Sequence, residues 1–211
     1  MIYLIGGPPR CGKTTLAKKM SKKLGIPWIS TDTLENIVGA YWTKEELVKN
    51  RPYSQLRRKD GDKHNDTFYN KYSTQKIISV LKGQARPIFK AIEMVVVCEL
   101  TDGNDYIIEG YHIVPSVVAR LVKKYGEKNV KTVFLTKTNA LKFASNVKKS
   151  TTPNDWLLVL TKKEETFLKV GEMIAEYSKD FEVEAKKYGL KVFKMDNDFN
   201  KKIIEAINYL K

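Results

Sequence analysis

The sequence predicts an α/β fold of three layers, with a parallel sheet of about five strands and helices on both faces. Strand-like and helix-like patterns alternate along the 211 residues. Such alternation favours parallel pairing, because each crossover helix returns the chain to the start of the next strand. The strands are short, continuous apolar runs, as expected where both faces of a sheet are covered. The first of them, Ile2-Tyr3-Leu4-Ile5, passes through a glycine-bearing loop into the helix-spaced run Thr15-Leu16-Ala17-Lys18-Lys19-Met20.

The remaining elements follow in order. Gly25-Ile26-Pro27 stops the first helix, since glycine suits the cap and proline cannot continue. Trp28-Ile29-Ser30 is a second strand, and Thr31-Asp32-Thr33 offers three capping residues before a helix over Leu34–Tyr41. Thr43-Lys44-Glu45-Glu46 has the form of a capping box. Residues 50–66 are polar, with Arg51, Arg57, Arg58, Asp60-Gly61-Asp62 and His64, and are expected to form an irregular insertion. Phe68–Leu81 is expected to be one helix stopped by Gly83, and Ile88–Leu100 another. Tyr106–Gly110, Val130–Leu135 and Leu190–Met195 are the later strands. Helices are expected over Pro115–Tyr125, Asn139–Lys149, Glu164–Tyr188 and Asn200–Leu210, with a break at 150–155 and an apolar stretch at Trp156–Leu160. With no repeat, low-complexity tract or linker, residues 1–211 are expected to form a single domain.

Composition narrows the function classes. A hydrophobic content of 42% and a charged content of 29% describe a globular chain. No apolar run is long enough to span a bilayer, and no leader pattern opens the chain, so no membrane role and a cytoplasmic location are expected. Cys11 and Cys98 make neither a disulfide framework nor a metal site. The net charge of +14 admits nucleic acid as a partner. Most lysines, however, lie on the polar faces of expected helices and are not interleaved with aromatics, which favours a solvated surface and a small anionic ligand. Oligomeric state is not legible.

Gly7-Pro8-Pro9-Arg10-Cys11-Gly12-Lys13-Thr14 matches the phosphate-loop pattern G-x-x-x-x-G-K-[ST] at every fixed position. Between a strand and a helix, such a loop turns backbone N–H groups around an anion, and the helix N-terminus adds positive partial charge. Gly7, Pro8, Pro9, Arg10, Cys11, Gly12, Lys13, Thr14 and Thr15 are therefore the expected nucleotide-binding residues. Lys13 would reach the β- and γ-phosphates of ATP, and the Thr14 hydroxyl would bind Mg²⁺. Pro8 offers no N–H to the phosphates. The cradle must work with one donor fewer, or Arg10 adds a charge of its own.

Ligands of such sheets lie beyond the carboxyl ends of the strands. Two acids stand there, Asp32 after the second strand and Glu109 at the end of Tyr106–Glu109. Each can help hold Mg²⁺, and each can orient or deprotonate an attacking hydroxyl. The alternatives are a helix cap for Asp32 and a simple strand-end acid for Glu109. Trp28, Trp42 and Trp156 suit packing, His64 suits a solvated loop, and His112 suits either a ligand contact or a structural hydrogen bond.

In layout and in these motifs the chain resembles the phosphate-loop small-molecule kinases, the group of the nucleoside-monophosphate, shikimate and gluconate kinases. Pro9 matches a proline common in adenylate kinases, whereas Arg10 stands where they usually have glycine. Asp32 matches the acid with which shikimate-type kinases contact the substrate hydroxyl. Ile29-Ser30-Thr31-Asp32 and Ile108-Glu109-Gly110-Tyr111-His112-Ile113-Val114-Pro115 resemble strand ends of the 2-phosphoglycerate kinases and their relatives. Those relatives tend to carry an arginine where this chain has Glu35.

The resemblance implies an ATP- and Mg²⁺-dependent kinase acting on the hydroxyl of a small anionic metabolite. Lys13, Asp32 and Glu109 would be catalytic, with Thr14, Asp32 and Glu109 at the metal. Residues 40–90 would form the substrate-binding insertion, and Asp32, Arg57, Arg86 and His112 the substrate contacts. Residues 140–155 would form the phosphate lid. The chain has no arginine after Arg120, so Lys142, Lys148 and Lys149 would stand in for the group's lid arginines. Two alternatives stay open: a nucleotide or nucleic-acid 5′ kinase, and a non-catalytic ATP-binding module.

Overall fold

The computed structural model describes residues 1–59, 64–150 and 155–211. The expected Asp60-Gly61-Asp62 turn and the break at residues 151–154 lie outside the described residues. β1 (Ile2–Gly6) is buried along its whole length and occupies the middle of a five-stranded sheet, flanked by β3 (Tyr106–Glu109) and β4 (Val130–Thr136). β2 (Trp28–Ser30) lies outside β3 and β5 (Val192–Lys194) outside β4, giving the order β2-β3-β1-β4-β5 with every pair parallel. The expected parallel architecture is therefore present.

α1 (Lys13–Leu24) follows β1, and α12 (Phe199–Leu210) ends the chain; these two pack together on one face. On the other face lie α7 (Phe89–Thr101), α8 (Pro115–Tyr125) and the long α11 (Glu164–Lys187). A continuous apolar core fills both interfaces, from Leu16 and Met20 to Ile107, Val118, Phe134, Ile174 and Leu210. Among the described residues no helix is long and apolar enough to cross a membrane.

Register sets the functional edge. Ile5 pairs with Glu109, and Ser30 pairs with the same Glu109. Three strands thus end level, and the phosphate loop, Ser30 and Glu109 emerge side by side. α2 (Thr31–Gly39) leaves β2 without a loop, because the Ser30 side chain accepts a hydrogen bond from the Asp32 N–H and caps the helix.

The insertion corrects two sequence expectations. The described residues of the 50–66 stretch are largely helical: after α3 (Lys44–Asn50), Pro52 at the first helical position starts α4 (Pro52–Arg58), and Asn65 starts α5 (Asn65–Lys71). The expected single helix over Phe68–Leu81 is two, because Tyr72 and Ser73 are extended and Ser73 caps α6 (Thr74–Ala85). Gly83 does not stop α6; a Cβ there would lie 3.3 Å from Pro52 Cγ, so a small residue serves the close approach of α4 to α6. The capping box at Thr43 and Glu46 is formed as expected. A 3₁₀ turn (Arg86–Ile88) joins α6 to α7, while α9 (Ala140–Val147) and α10 (Trp156–Val159) follow β4. The rings of Tyr53, Tyr69 and Tyr72 surround Phe68 at centroid distances of 5.7, 5.2 and 5.3 Å, with the Arg57 guanidinium 4.6 Å from the Phe68 ring. These contacts hold together helices too short to be stable alone.

At Gly110, directly after β3, φ is +155°, and a Cβ would fall 1.6 Å from Thr31 Oγ1. No small shift relieves both conditions. Gly110→Ala is therefore expected to destabilise the protein by about 3 kcal/mol or more, measured by urea unfolding; a loss below about 1 kcal/mol would show that β2 and β3 can separate freely.

Candidate active site

A cavity of about 520 Å³ opens at the carboxyl edge of the sheet. Arg10, Lys13 and Thr14 form its phosphate-loop wall, Glu109 and Gly110 its floor, and Asp32 and Glu35 the wall from α2. Tyr53, Arg57, Tyr69 and Gln84 enter from the insertion, and Trp156 and Leu160 from the segment after α9.

Within the phosphate loop, Gly12 has φ +98° and caps α1. Lys13 is buried, and its Nζ donates to the Pro8 carbonyl at 2.6 Å. The Cys11 thiol is buried beside the Pro9 carbonyl at 3.7 Å, and burial pushes its pKa up. Thr14 Oγ1 donates to Glu109 Oε1 at 2.9 Å. Glu109 is only 3% exposed. Burial raises its carboxyl above the usual range; Lys13 and hydrogen bonds from Thr14 and Ser30 oppose that rise, and Asp32 adds to it. A hydroxyl and a carboxylate in contact beside a lysine suit a magnesium ion, which prefers hard oxygen donors. Thr14 and Glu109 are the residues that fit it.

Asp32 is released from capping by Ser30, and its side chain is 69% exposed. Beneath it lies His112, fully buried, with Nδ1 2.7 Å from Thr31 Oγ1 and 3.8 Å from Asp32 Oδ1. Its Nε2 stands 3.5 Å from Glu35 Oε2. The expected substrate contact through His112 is corrected here: the ring has no exposed surface and does not line the cavity, so it braces α2 from below. Glu35 pairs with Arg51 of the α3–α4 junction, Nε to Oε1 at 3.2 Å, and Arg51 Nη2 also donates to the Glu35 carbonyl at 2.8 Å. Donor atoms of Asp32, Glu35 and His112 lie within 4.8 Å of one another. Arg51 and Thr31 already engage Glu35 and His112, so this group makes a poorer cation site than Thr14 with Glu109.

Two further expectations are corrected. Arg86 is exposed and lines a separate hollow with Lys82, Phe89 and Tyr177, not the phosphate-loop cavity. Lys148 pairs with Glu164 and lies over the Phe167 ring at 5.4 Å, and neither it nor Lys149 lines the cavity. Arg57 does line it.

Other residues carry no motif and escape sequence-level notice. Lys137 follows β4 directly, and applying the strand-end rule to that strand would have found it. Burial lowers its pKa, with the charges of Arg10 and Lys13 adding to the effect, and its Nζ lies 5.7 Å from the Phe199 ring. Asp155 is buried and pairs with Arg10, which has φ +65°. The left-handed conformation costs a non-glycine residue about 1–2 kcal/mol, comparable to a hydrogen bond to a charged group, worth about 1.5–3 kcal/mol. Tertiary pairing can therefore hold Arg10 where local preference would not.

No protein-family model matches the chain. It is 29% identical over 124 residues to mevalonate-3-phosphate 5-kinase of Thermoplasma acidophilum, covering 58% of this chain and 56% of that protein. It is 26% identical over 193 residues to 2-phosphoglycerate kinase of Methanococcus maripaludis, covering 87% of this chain and 58% of that protein. The chain thus spans less than two thirds of the length of these curated relatives. Among solved structures, shikimate kinase from Bacteroides thetaiotaomicron superposes with a TM-score of 0.54 at 15% identity, over 99% of this chain and 94% of that one.

Two outcomes follow from the electrostatics. Because the folded pKa of Glu109 is raised, its stabilising effect is full below the ordinary carboxylate pKa and is lost as pH rises through the raised value. In metal-free buffer the wild type should lose stability across that interval in urea titrations, and Glu109→Gln should flatten the profile; a matching slope in both proteins would show that Glu109 is not the group responsible. Arg51→Met leaves the Glu35 carboxylate unpaired and should cost about 3 kcal/mol at neutral pH, most of it recovered in Arg51→Met/Glu35→Gln. An unrecovered double variant would place the cost in packing instead.

By sequence the chain is a relative of the 2-phosphoglycerate kinases and of mevalonate-3-phosphate 5-kinase, and its fold is that of the phosphate-loop small-molecule kinases.

Proposed function

We propose that the protein is a kinase that transfers the γ-phosphoryl group of ATP to the hydroxyl of a small anionic metabolite. The observation that carries this reading is the Thr14–Glu109 contact beside Lys13, facing Asp32 across one cavity. A nucleoside-triphosphate cradle and an exposed carboxylate lining the same cavity are what phosphoryl transfer requires. The loop and Lys13 hold the triphosphate. Thr14 and Glu109 hold Mg²⁺, which when bound neutralises charge on the phosphates. Asp32 orients the acceptor hydroxyl and takes its proton, and its high exposure leaves the carboxylate accessible to that hydroxyl.

Residues 40–90 serve as the substrate-binding insertion and residues 140–155 as the phosphate lid, both within one domain. Arg57, set among Tyr53 and Tyr69, offers a guanidinium to an anionic substrate group. The names of the relatives point the same way, since each acts on a phosphorylated compound. We therefore favour a phosphorylated hydroxy acid or alcohol as acceptor over a nucleotide, a nucleic-acid end or a non-catalytic role. A reducing compartment such as the cytoplasm suits the free thiols Cys11 and Cys98.

The test is ATP-dependent ADP release by purified protein against a panel of phosphorylated hydroxy acids and alcohols. Lys13→Ala and Asp32→Asn should each lower acceptor-dependent kcat by about 100-fold or more, with circular dichroism unchanged. Wild-type release no faster than that of Lys13→Ala on every acceptor would overturn the assignment.

A further inference from the structure

The transferred phosphoryl group spreads negative charge over three equatorial oxygens, and that charge must be neutralised. The segment after β4 offers no arginine for this, since none follows Arg120 in the sequence. Lys148 is engaged by Glu164, away from the cavity. One guanidinium does stand in the phosphate-loop wall, that of Arg10, in the same cavity as Lys13, Thr14, Glu109 and Asp32.

Three observations show that Arg10 is built into place. Its φ of +65° is a conformation that glycine adopts freely and arginine does not, so a cost is retained at this position. Its Nη2 donates to Asp155 Oδ2, a carboxylate whose side chain is only 2% exposed. Asp155 is itself fixed: its Oδ1 accepts the Leu157 N–H at 3.1 Å and caps α10. That helix is tied to α5 by Asn65, which is fully buried. The Asn65 backbone N–H donates to the Leu160 carbonyl at 2.8 Å, and its Nδ2 donates to Thr161 Oγ1 at 2.9 Å. The Arg10 side chain remains 20% exposed. A guanidinium has five N–H donors, so pairing with Asp155 leaves others to meet a phosphate.

Resting on the kinase reading above, we propose that Arg10 is the catalytic arginine of this site, contacting the transferred γ-phosphoryl group, and that Asp155 is its positioning residue. In the step itself the acceptor oxygen forms a bond to the γ-phosphorus. The bond from that phosphorus to the β–γ bridging oxygen breaks, its electron pair leaves on ADP, and the hydroxyl proton passes to Asp32. Arg10 donates N–H groups to the equatorial oxygens as their charge grows, in the place that a lid arginine would otherwise occupy.

Calorimetric titration with Mg·ADP and with the non-hydrolysable Mg·AMP-PNP isolates the γ-phosphate contact without an acceptor. Wild type should prefer AMP-PNP by about tenfold, and Arg10→Gly should bring the two affinities within about twofold of each other. Arg10→Lys should keep part of the preference, and Asp155→Asn should weaken it while leaving ADP affinity unchanged. Where an acceptor has been found, kcat of Arg10→Gly should fall about 100-fold with little change in acceptor KM, and millimolar guanidinium should restore part of it. If Arg10→Gly does not fold, the double variant Arg10→Gly/Asp155→Asn removes the charge together with its buried partner and is titrated instead. A preference for AMP-PNP that survives loss of Arg10 would overturn this proposal and leave the kinase reading standing. Wild type that binds neither nucleotide would overturn both.

Discussion

A carboxylate at the end of a buried strand has to be compensated, and the compensation of Glu109 organises this protein. The group is almost out of water, so charge on it is costly unless donors and cations surround it. They come from two directions: Lys13 and Thr14 from the start of α1, where the phosphate loop ends, and Ser30 from the end of β2. None is a sequence neighbour of Glu109. Parallel pairing of β2 and β1 on either side of β3 sets all of them level with it. The phosphate loop, the Thr14 hydroxyl and the strand-end acid are thus brought together by one register. Gly110 lets the next residue turn away without meeting Thr31.

A second layer keeps Asp32 useful. Ser30 takes the capping role that Asp32 could have filled, so the carboxylate stays exposed toward the cavity. Buried His112 supports the first turn of α2 through Thr31, and Glu35 secures the next turn through Arg51. At Glu35 the chain carries an acid and brings a guanidinium to it from the α3–α4 junction. Glu35 therefore lines the cavity already paired with Arg51, and Arg57 lines the same cavity from the insertion.

The strands, the phosphate loop, the capping box at Thr43 and the long C-terminal helices were legible because each is written in contiguous residues. Five strands show as apolar runs, and Gly12-Lys13-Thr14 announces itself by spacing alone. The insertion was not legible in the same way. Its polar stretch around Arg57 contains an amphipathic turn whose apolar partner, Phe68, lies beyond residues 60–63, and only the packed ring cluster makes helices of α4 and α5. The break at Ser73 depends on one cap, which a continuous helical pattern conceals.

Sequence by itself determined the parallel α/β architecture, the position of the phosphate loop and the two strand-end acids, because backbone propensity and periodicity act over a few residues. Tertiary structure alone decided which side chains reach the cavity. It buried His112, set Arg86 in another hollow, drew Lys148 to Glu164, and joined Arg10 to Asp155. The physical reason is distance along the chain: burial and ion pairing are set by residues far apart in sequence, and no local pattern records which of them will meet.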